Sequence, residues 1–199
     1  ALAKNYLTSL NIPFYIVPGN HDVPLHRFWE RFLTPFSHFV EYFGDTHVAI
    51  LETEYTIVGI NTASPWYVKE GRIKKDDIDT IEQLTRENNS LKIVFSHHPV
   101  PWILKRLQLL GIYPSLYKRL LACNVDLYLC GHHHKSRFSL TKDWFSAENV
   151  FQSLFFQAGT ATSNRYRGEN NAFFLYHWND PQLEVTLLLW EENRQDFIS

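Results

Sequence analysis

The sequence has few cysteines and a nearly balanced charge, and both features exclude classes of protein. Its only cysteines, Cys123 and Cys130, are too few for a disulfide framework and do not form a C-x-x-C pair. A reducing, cytoplasmic setting therefore fits best. The formal net charge of -2 provides no broad basic field for a nucleic-acid backbone, so we expect no structural nucleic-acid partner.

The sequence also lacks membrane-spanning, signal-peptide and repeat patterns. No apolar run approaches the length of a membrane span, and the first residues lack the basic-then-apolar pattern of a signal peptide. The sequence contains no repeat, linker or low-complexity segment. With 45% hydrophobic residues, the 199-residue chain has enough apolar surface for one compact domain, so we expect residues 1–199 to form a single domain without membrane contact. Its oligomeric state stays open.

The chain does contain an alternation of helix and strand patterns. Helical periodicity predicts helices at residues 25–33, 74–88 and 115–123, and residues 101–110 are ambiguous. Apolar runs predict buried strands at residues 14–17, 46–53, 55–61, 91–96 and 125–130, followed by a β-rich end with strands at 136–141, 151–157, 172–178 and 183–190. This order predicts an α/β fold with two packed sheets flanked by helices. Aromatic side chains at near-helical spacing are predicted to pack in the core: Trp29, Phe32, Phe36, Phe39 and Phe43.

Three of the predicted strands run into a polar cluster. The clusters are P-G-N-H-D at 18–22, S-H-H-P at 96–99 and G-H-H-H at 131–134. In open α/β sheets, ligands gather at such strand ends. Imidazole nitrogen and amide oxygen suit Mn, Fe or Zn, so the cluster set predicts a site for divalent ions of this class.

The candidate metal ligands are one residue from the first cluster, one from the second and two from the third: Asn20, His97, His132 and His134. Residues 132 and 134 lie two apart and would point the same way from an extended segment. His98 and His133 lie next to the candidate ligands in sequence, so the alternation of side chains along an extended segment points them away from the ion. We expect them to face solvent or to support the ligands without binding the ion. Such a density of ligands is typical of a two-metal site, which suits cleavage of phosphate esters.

In this order and spacing, G-N-H-D, H-x-P after a strand and G-H-x-H resemble the calcineurin-like metallophosphoesterase superfamily. The resemblance implies a four-layer α/β/β/α sandwich that hydrolyses phosphomonoesters or phosphodiesters with two divalent ions and a metal-bound hydroxide. It implies that Asn20, His97 and His132 bind the second ion and that His134 binds the first. His21 would contact the scissile phosphate and protonate the leaving group.

The resemblance also implies roles outside the metal ligands. Asp22 would hold the imidazole of His21 by a hydrogen bond. Residues 158–168, A-G-T-A-T-S-N-R-Y-R-G, resemble the loop after G-H-x-H in bacterial members close to the cyclic-nucleotide phosphodiesterases, so the resemblance implies a phosphate ester substrate such as a cyclic nucleotide. Arg165 and Arg167 in this loop are candidate contacts for a phosphate oxygen, although solvated loop arginines are commoner.

One departure from the superfamily pattern separates two interpretations. Members carry D-x-H and G-D-x-x-D ahead of G-N-H-D, which supply two ligands of the first metal and the bridging carboxylate, and neither motif precedes Asn20. We therefore expect that the first βα units are absent and that these 199 residues alone bind one metal weakly. The D-T-H at 45–47 follows G-N-H-D and is interpreted as a turn. The alternative is a catalytically incomplete scaffold of the same fold, used for protein binding.

Overall fold

A six-stranded mixed sheet carries the sequence motifs. The computed structural model describes residues 2–86, 90–100, 102–103, 106, 114–144, 152–163 and 168–199. Its larger sheet contains β1 (Val48–Leu51), β2 (Tyr55–Ile60), β3 (Leu91–Ser96), β4 (Leu127–Cys130), β5 (Arg137–Leu140) and β6 (Leu154–Gln157). The spatial order is β1-β2-β3-β4-β6-β5. Strands β2, β3, β4 and β6 are parallel, and β1 and β5 are antiparallel edge strands.

A three-stranded antiparallel sheet follows. It consists of β7 (Ala172–Asn179), β8 (Gln182–Glu191) and β9 (Asp196–Ile198). The two sheets meet at β6, where the ring of Phe156 lies 5.2 Å from the rings of both Phe174 and Tyr176. The α/β class expected from the sequence is confirmed.

Of the helices in the described part of the chain, two contribute to the core of the larger sheet. The helices are α1 (Leu2–Ser9), α2 (Phe28–Leu33), α3 (Ser37–Phe43), α4 (Lys75–Thr85), α5 (Pro114–Ala122) and α6 (Thr141–Trp144). Helix α4 presents Ile78 and Ile81 to the sheet, and both are fully buried, while α5 contributes Leu120 at 2% exposure. These side chains pack with Val58 and Val94 of the central strands in one core cluster. Within the described residues, no helix is both long and apolar enough to span a membrane.

The predicted buried strand at residues 14–17 is wrong. This segment has no strand conformation, and the side chains of Phe14 and Tyr15 are 36% and 43% exposed. An apolar segment forms a strand only where a neighbouring strand has a free edge for hydrogen bonding. Strands β2 and β3, which residues 14–17 approach, already have a strand on each side. Tyr15 instead lines an apolar opening on the sheet face away from α4, together with Ile57, Ile93, Phe95 and Leu129.

The aromatic residues of α2 and α3 divide between core and surface. Phe39 is buried at 5% exposure, but Trp29 is 73% exposed, so the core prediction is wrong for that residue. Helix α2 has only six residues and buries Arg31 rather than its indole. The turn expected at 45–47 is confirmed: Asp45 Oδ1 accepts from the His47 backbone N–H at 3.0 Å, which is a local bond typical of turns.

Candidate metal centre

The sheet topology brings two of the three motifs to one edge. Strands β3 and β4 are parallel neighbours, with Phe95 paired to Leu129, so both strands end on the same side of the sheet. His97 follows β3 directly, and His132 follows β4 after Gly131. The Gly131 backbone N–H donates to the His97 carbonyl at 3.1 Å and ties the two loops together. The strand-end argument made from the sequence therefore has a structural basis for these two histidines.

The side chain of Asn20 joins this pair. Its Oδ1 accepts from His97 Nε2 at 2.9 Å, and its Nδ2 donates to the Val68 carbonyl at 2.9 Å. Because Val68 engages the amide nitrogen, the amide oxygen is the atom that faces the histidines. His132 Nδ1 lies 3.2 Å from His97 Nε2. An amide oxygen and two imidazole nitrogens thus converge at one point.

His98 lies in the same cluster, contrary to the expectation that it could face solvent. Its side chain is fully buried, and Thr62 Oγ1 accepts from its backbone N–H at 3.1 Å. The same hydroxyl lies 3.0 Å from His98 Nδ1. One ring nitrogen from each of His97, His98 and His132 lies within 4.8 Å of the others.

The alternation argument for the third motif also fails. His132 and His134 have φ values of 73° and 57°, so both adopt the left-handed conformation and the segment is a tight turn rather than an extended strand. Strict two-residue alternation holds only for extended backbone. His134 nevertheless lies close enough for its charge to lower the pKa of His97, as does His21.

Burial sets the protonation of the cluster. Desolvation lowers the pKa of His97 to about 4, with further lowering from the charges of His132, His21, His134 and His133. Desolvation likewise lowers the pKa of His98 to about 3, helped by His97 and His132. Both imidazoles are therefore neutral at pH 7, which is the form that binds a metal. The donor set of neutral imidazole and amide oxygen fits a borderline divalent ion.

The catalytic pair expected from the motif is arranged differently. His21 and Asp22 are both exposed at the mouth of the loop. Asp22 Oδ2 accepts from the Gly19 backbone N–H at 2.7 Å, and the Asp22 N–H donates to the Gly19 carbonyl at 3.1 Å. This bond to the loop backbone replaces the expected bond to the His21 imidazole. In this arrangement Asp22 closes the G-N-H-D loop that presents Asn20.

Some residues of the site were missed by reasoning from sequence. A Cβ on Gly19 would lie 2.9 Å from two ring atoms of His97, and a Cβ on Gly71 would lie 2.6 Å from His98 Cβ and Cγ. These glycines permit close approach of the imidazoles rather than a turn alone. Thr62 follows the end of β2, at the same sheet edge as β3 and β4, so the strand-end argument could have found it.

Comparison with known proteins agrees with the motifs. A sequence model of the calcineurin-like phosphoesterases matches residues 1–136, a span that contains all three clusters. The chain belongs to the calcineurin-like phosphoesterase family. No curated protein matches it. The family is associated generally with metal-dependent hydrolysis of phosphate esters, and the histidine cluster is where this member can hold a metal.

Two features of this calcineurin-like phosphoesterase bear on its chemistry. Among the described residues, the cluster of possible metal ligands contains His97, His98 and His132 and no carboxylate. The candidate substrate residues Arg165 and Arg167 lie outside the described residues.

A cavity of about 500 Å³ lies beside the histidine turn of the phosphoesterase. It is lined by Trp102, His133, Arg137 and Phe138, among others. The His133 ring, which lines the cavity, meets the Trp102 ring edge to face at 5.9 Å and lies 4.9 Å from the ring of His132 in the histidine cluster. Aromatic faces and a guanidinium group are suited to a flat organic group attached to a phosphate.

Proposed function

We propose that the gene product containing this chain hydrolyses phosphate monoesters or diesters with two divalent ions, Mn, Fe or Zn. Asn20, His97 and His132 hold one ion and His134 contributes to the other. The observation that carries the proposal is the convergence of the Asn20 amide oxygen and the His132 imidazole on His97 Nε2, at 2.9 and 3.2 Å. When bound, the ions supply Lewis acidity toward the phosphoryl oxygens and generate a nucleophile from water at neutral pH.

The residues of the chain have separate tasks in this proposal. Burial keeps His97 neutral and able to bind a cation. The bond to Val68 holds the Asn20 oxygen in place before an ion arrives. His21 is exposed beside the cluster, where it can meet a substrate and protonate the leaving oxygen. Asp22 positions the loop through Gly19.

We also propose that the substrate carries an aromatic group, which binds in the cavity beside the turn. The cavity beside the turn offers the rings of Trp102 and Phe138, which are 36% and 58% exposed, and the Arg137 guanidinium. A nucleobase or aryl group would stack there, so a cyclic nucleotide is a candidate substrate. Phe138→Ala should raise KM about five- to tenfold for an aryl ester and leave an alkyl phosphate unaffected. An equal change for both esters would remove the cavity from substrate recognition.

The test of hydrolysis is turnover of an aryl phosphate, a bis-aryl phosphate and a cyclic nucleotide by the gene product, with and without Mn. We expect metal-dependent turnover. His21→Ala should lower kcat by roughly 10²- to 10⁴-fold without changing metal binding, because it removes the proton donor. His26→Ala, at an exposed histidine outside the cluster, is the matched control. Absence of Mn-dependent turnover in the wild-type protein would overturn the hydrolase proposal.

A scaffold is the second candidate, and one observation favours it. Among the described residues, the cluster of possible ligands has no carboxylate to offset the charge of two dications. For the 199 residues alone, we expect calorimetry with Mn to detect one weak site. Two tight sites in that titration would argue against the scaffold.

A further inference from the structure

We propose that His98 is itself a metal ligand, so that His97, His98 and His132 form a three-imidazole site for one borderline divalent cation. The H-x-P and G-H-x-H motifs do not assign this role to the second histidine of S-H-H-P. The inference rests on the proposed metal binding by the cluster but not on hydrolysis. It predicts that the cluster holds a cation without any carboxylate from elsewhere in the sequence.

The first support is an unpartnered nitrogen in the interior. The His98 side chain has no exposed surface, and its Nε2 has no hydrogen-bond partner. Buried polar atoms are nearly always satisfied, and an exception calls for a partner such as an ion. Nε2 is also the ring nitrogen left over for a cation, since Nδ1 is engaged with Thr62.

The hydrogen bonds of Thr62 accommodate the His98 tautomer that can bind a metal. Thr62 Oγ1 already accepts from the His98 backbone N–H, and its second lone pair can accept from Nδ1–H at 3.0 Å. That tautomer leaves a lone pair on Nε2. The other tautomer would place an N–H donor in the interior with no acceptor. A ligating imidazole that donates its second N–H to an oxygen is the usual arrangement at metal sites.

The distances suit a shared cation. Metal–nitrogen bonds of about 2.0 to 2.1 Å in a tetrahedral site place ligand atoms roughly 3.3 Å apart. His97 Nε2 already lies 3.2 Å from His132 Nδ1 and 2.9 Å from Asn20 Oδ1. One ring nitrogen from each of the three histidines lies within 4.8 Å of the others, so the three rings already lie close to the spacing that a shared cation needs.

The surroundings hold the ring in this place. A Cβ at Gly71 would lie 2.6 Å from His98 Cβ and Cγ, so only glycine leaves room for the imidazole. The ring also packs against His132, with centroids 4.4 Å apart. Because three imidazoles and one amide are all neutral, a bound dication would keep its full charge and would attract an anion such as phosphate.

The test uses the 199-residue chain, freed of metal with a chelator and titrated with Co²⁺. Visible absorption reports tetrahedral coordination, and pulsed EPR of the Cu²⁺ form counts coordinated imidazoles. We expect three imidazoles in the wild type and two in His98→Gln, with the Co²⁺ affinity of the variant at least about tenfold lower. His26→Gln, at an exposed histidine, should match the wild type.

A second variant tests the role of His98 if His98→Gln does not fold. Thr62→Val removes the acceptor that orients the ring but keeps every ligand, so it should weaken Co²⁺ binding about 10- to 100-fold. An unchanged imidazole count and affinity in His98→Gln, or unchanged affinity in Thr62→Val, overturns the role of His98 while leaving the proposed function intact. A wild-type chain that binds no Co²⁺ overturns the three-imidazole site, whereas the proposed function is overturned separately, by absence of Mn-dependent turnover in the gene product.

Discussion

The two faces of the six-stranded sheet differ in how fully they are covered. Under α4 and α5, Val58 and Val94 are each 1% exposed and belong to one continuous core. On the other face, Ile93 borders an apolar opening that Tyr15 lines at 43% exposure. A Cβ at Gly71 would lie 2.6 Å from the fully buried His98 and 2.7 Å from Ile103 of the covered core, so His98 lies near that core. The histidine cluster therefore adjoins the helix-covered face through His98.

Truncation of a core side chain on each face tests that difference most strongly. Ile81→Ala removes a fully buried side chain of α4 and should lower the free energy of unfolding by about 2 to 5 kcal/mol. Ile93→Ala, on the open face, should cost less than half as much because its environment is already partly solvated. Urea unfolding monitored by circular dichroism measures both. Equal losses would mean that the two faces are equivalent.

Glycine substitutions test the contact between the covered face and the cluster. Gly71→Ala would place a methyl group 2.6 Å from His98 and 2.7 Å from Ile103 Cδ1, so we expect a loss of about 1 to 3 kcal/mol from overpacking. Gly131→Ala is the matched control, because a Cβ there meets nothing within 4 Å although its neighbour is His132. Thermal unfolding compares the two variants. A larger loss for Gly131→Ala would contradict this account of the site.

Most of the covered face could be predicted from sequence. The apolar run at 91–96 coincides with β3 (Leu91–Ser96), and the periodic segment 74–88 contains α4 (Lys75–Thr85). These elements bury their apolar sides, so periodicity reports their environment directly. The same reasoning predicted His97 and His132 at strand ends, and the structure shows that β3 and β4 are neighbours.

The remainder depends on contacts that no local pattern encodes. Residues 14–17 read as a strand because they are apolar, but pairing depends on a vacant neighbour in the sheet. His98 was assigned by alternation, which fails where the backbone leaves the extended conformation. Thr62 reaches it across 36 positions of sequence. Glycine is needed at positions 19 and 71 because the side chains of distant histidines lie against them, and only the folded structure brings these residues together.

The pH dependence of the free energy of unfolding provides a third test, which reports the burial of His98. In the metal-free protein, the pKa of His98 falls from 6.5 to about 3 through burial, so the unfolded chain binds a proton that the folded chain does not. The resulting stability is present above pH 6.5 and is lost as the pH falls toward 3. Between pH 6 and 5, His98→Gln should lose about 1 kcal/mol less than the wild type. Parallel curves for the two proteins would contradict the burial of His98.

The smallest effect is expected at the open face, where Tyr15→Ser tests whether residues 14–17 contribute to the sheet. Because the Tyr15 side chain is 43% exposed and its segment pairs with no strand, we expect the free energy of unfolding to change by no more than about 0.5 kcal/mol. Val17→Ser is the companion variant, since Val17 Cγ1 lies 3.0 Å from the Cβ position of Gly59 and contacts the sheet more closely. A loss at Tyr15 as large as that of Ile81→Ala would show that this segment is buried in solution, and the two faces would then be covered alike.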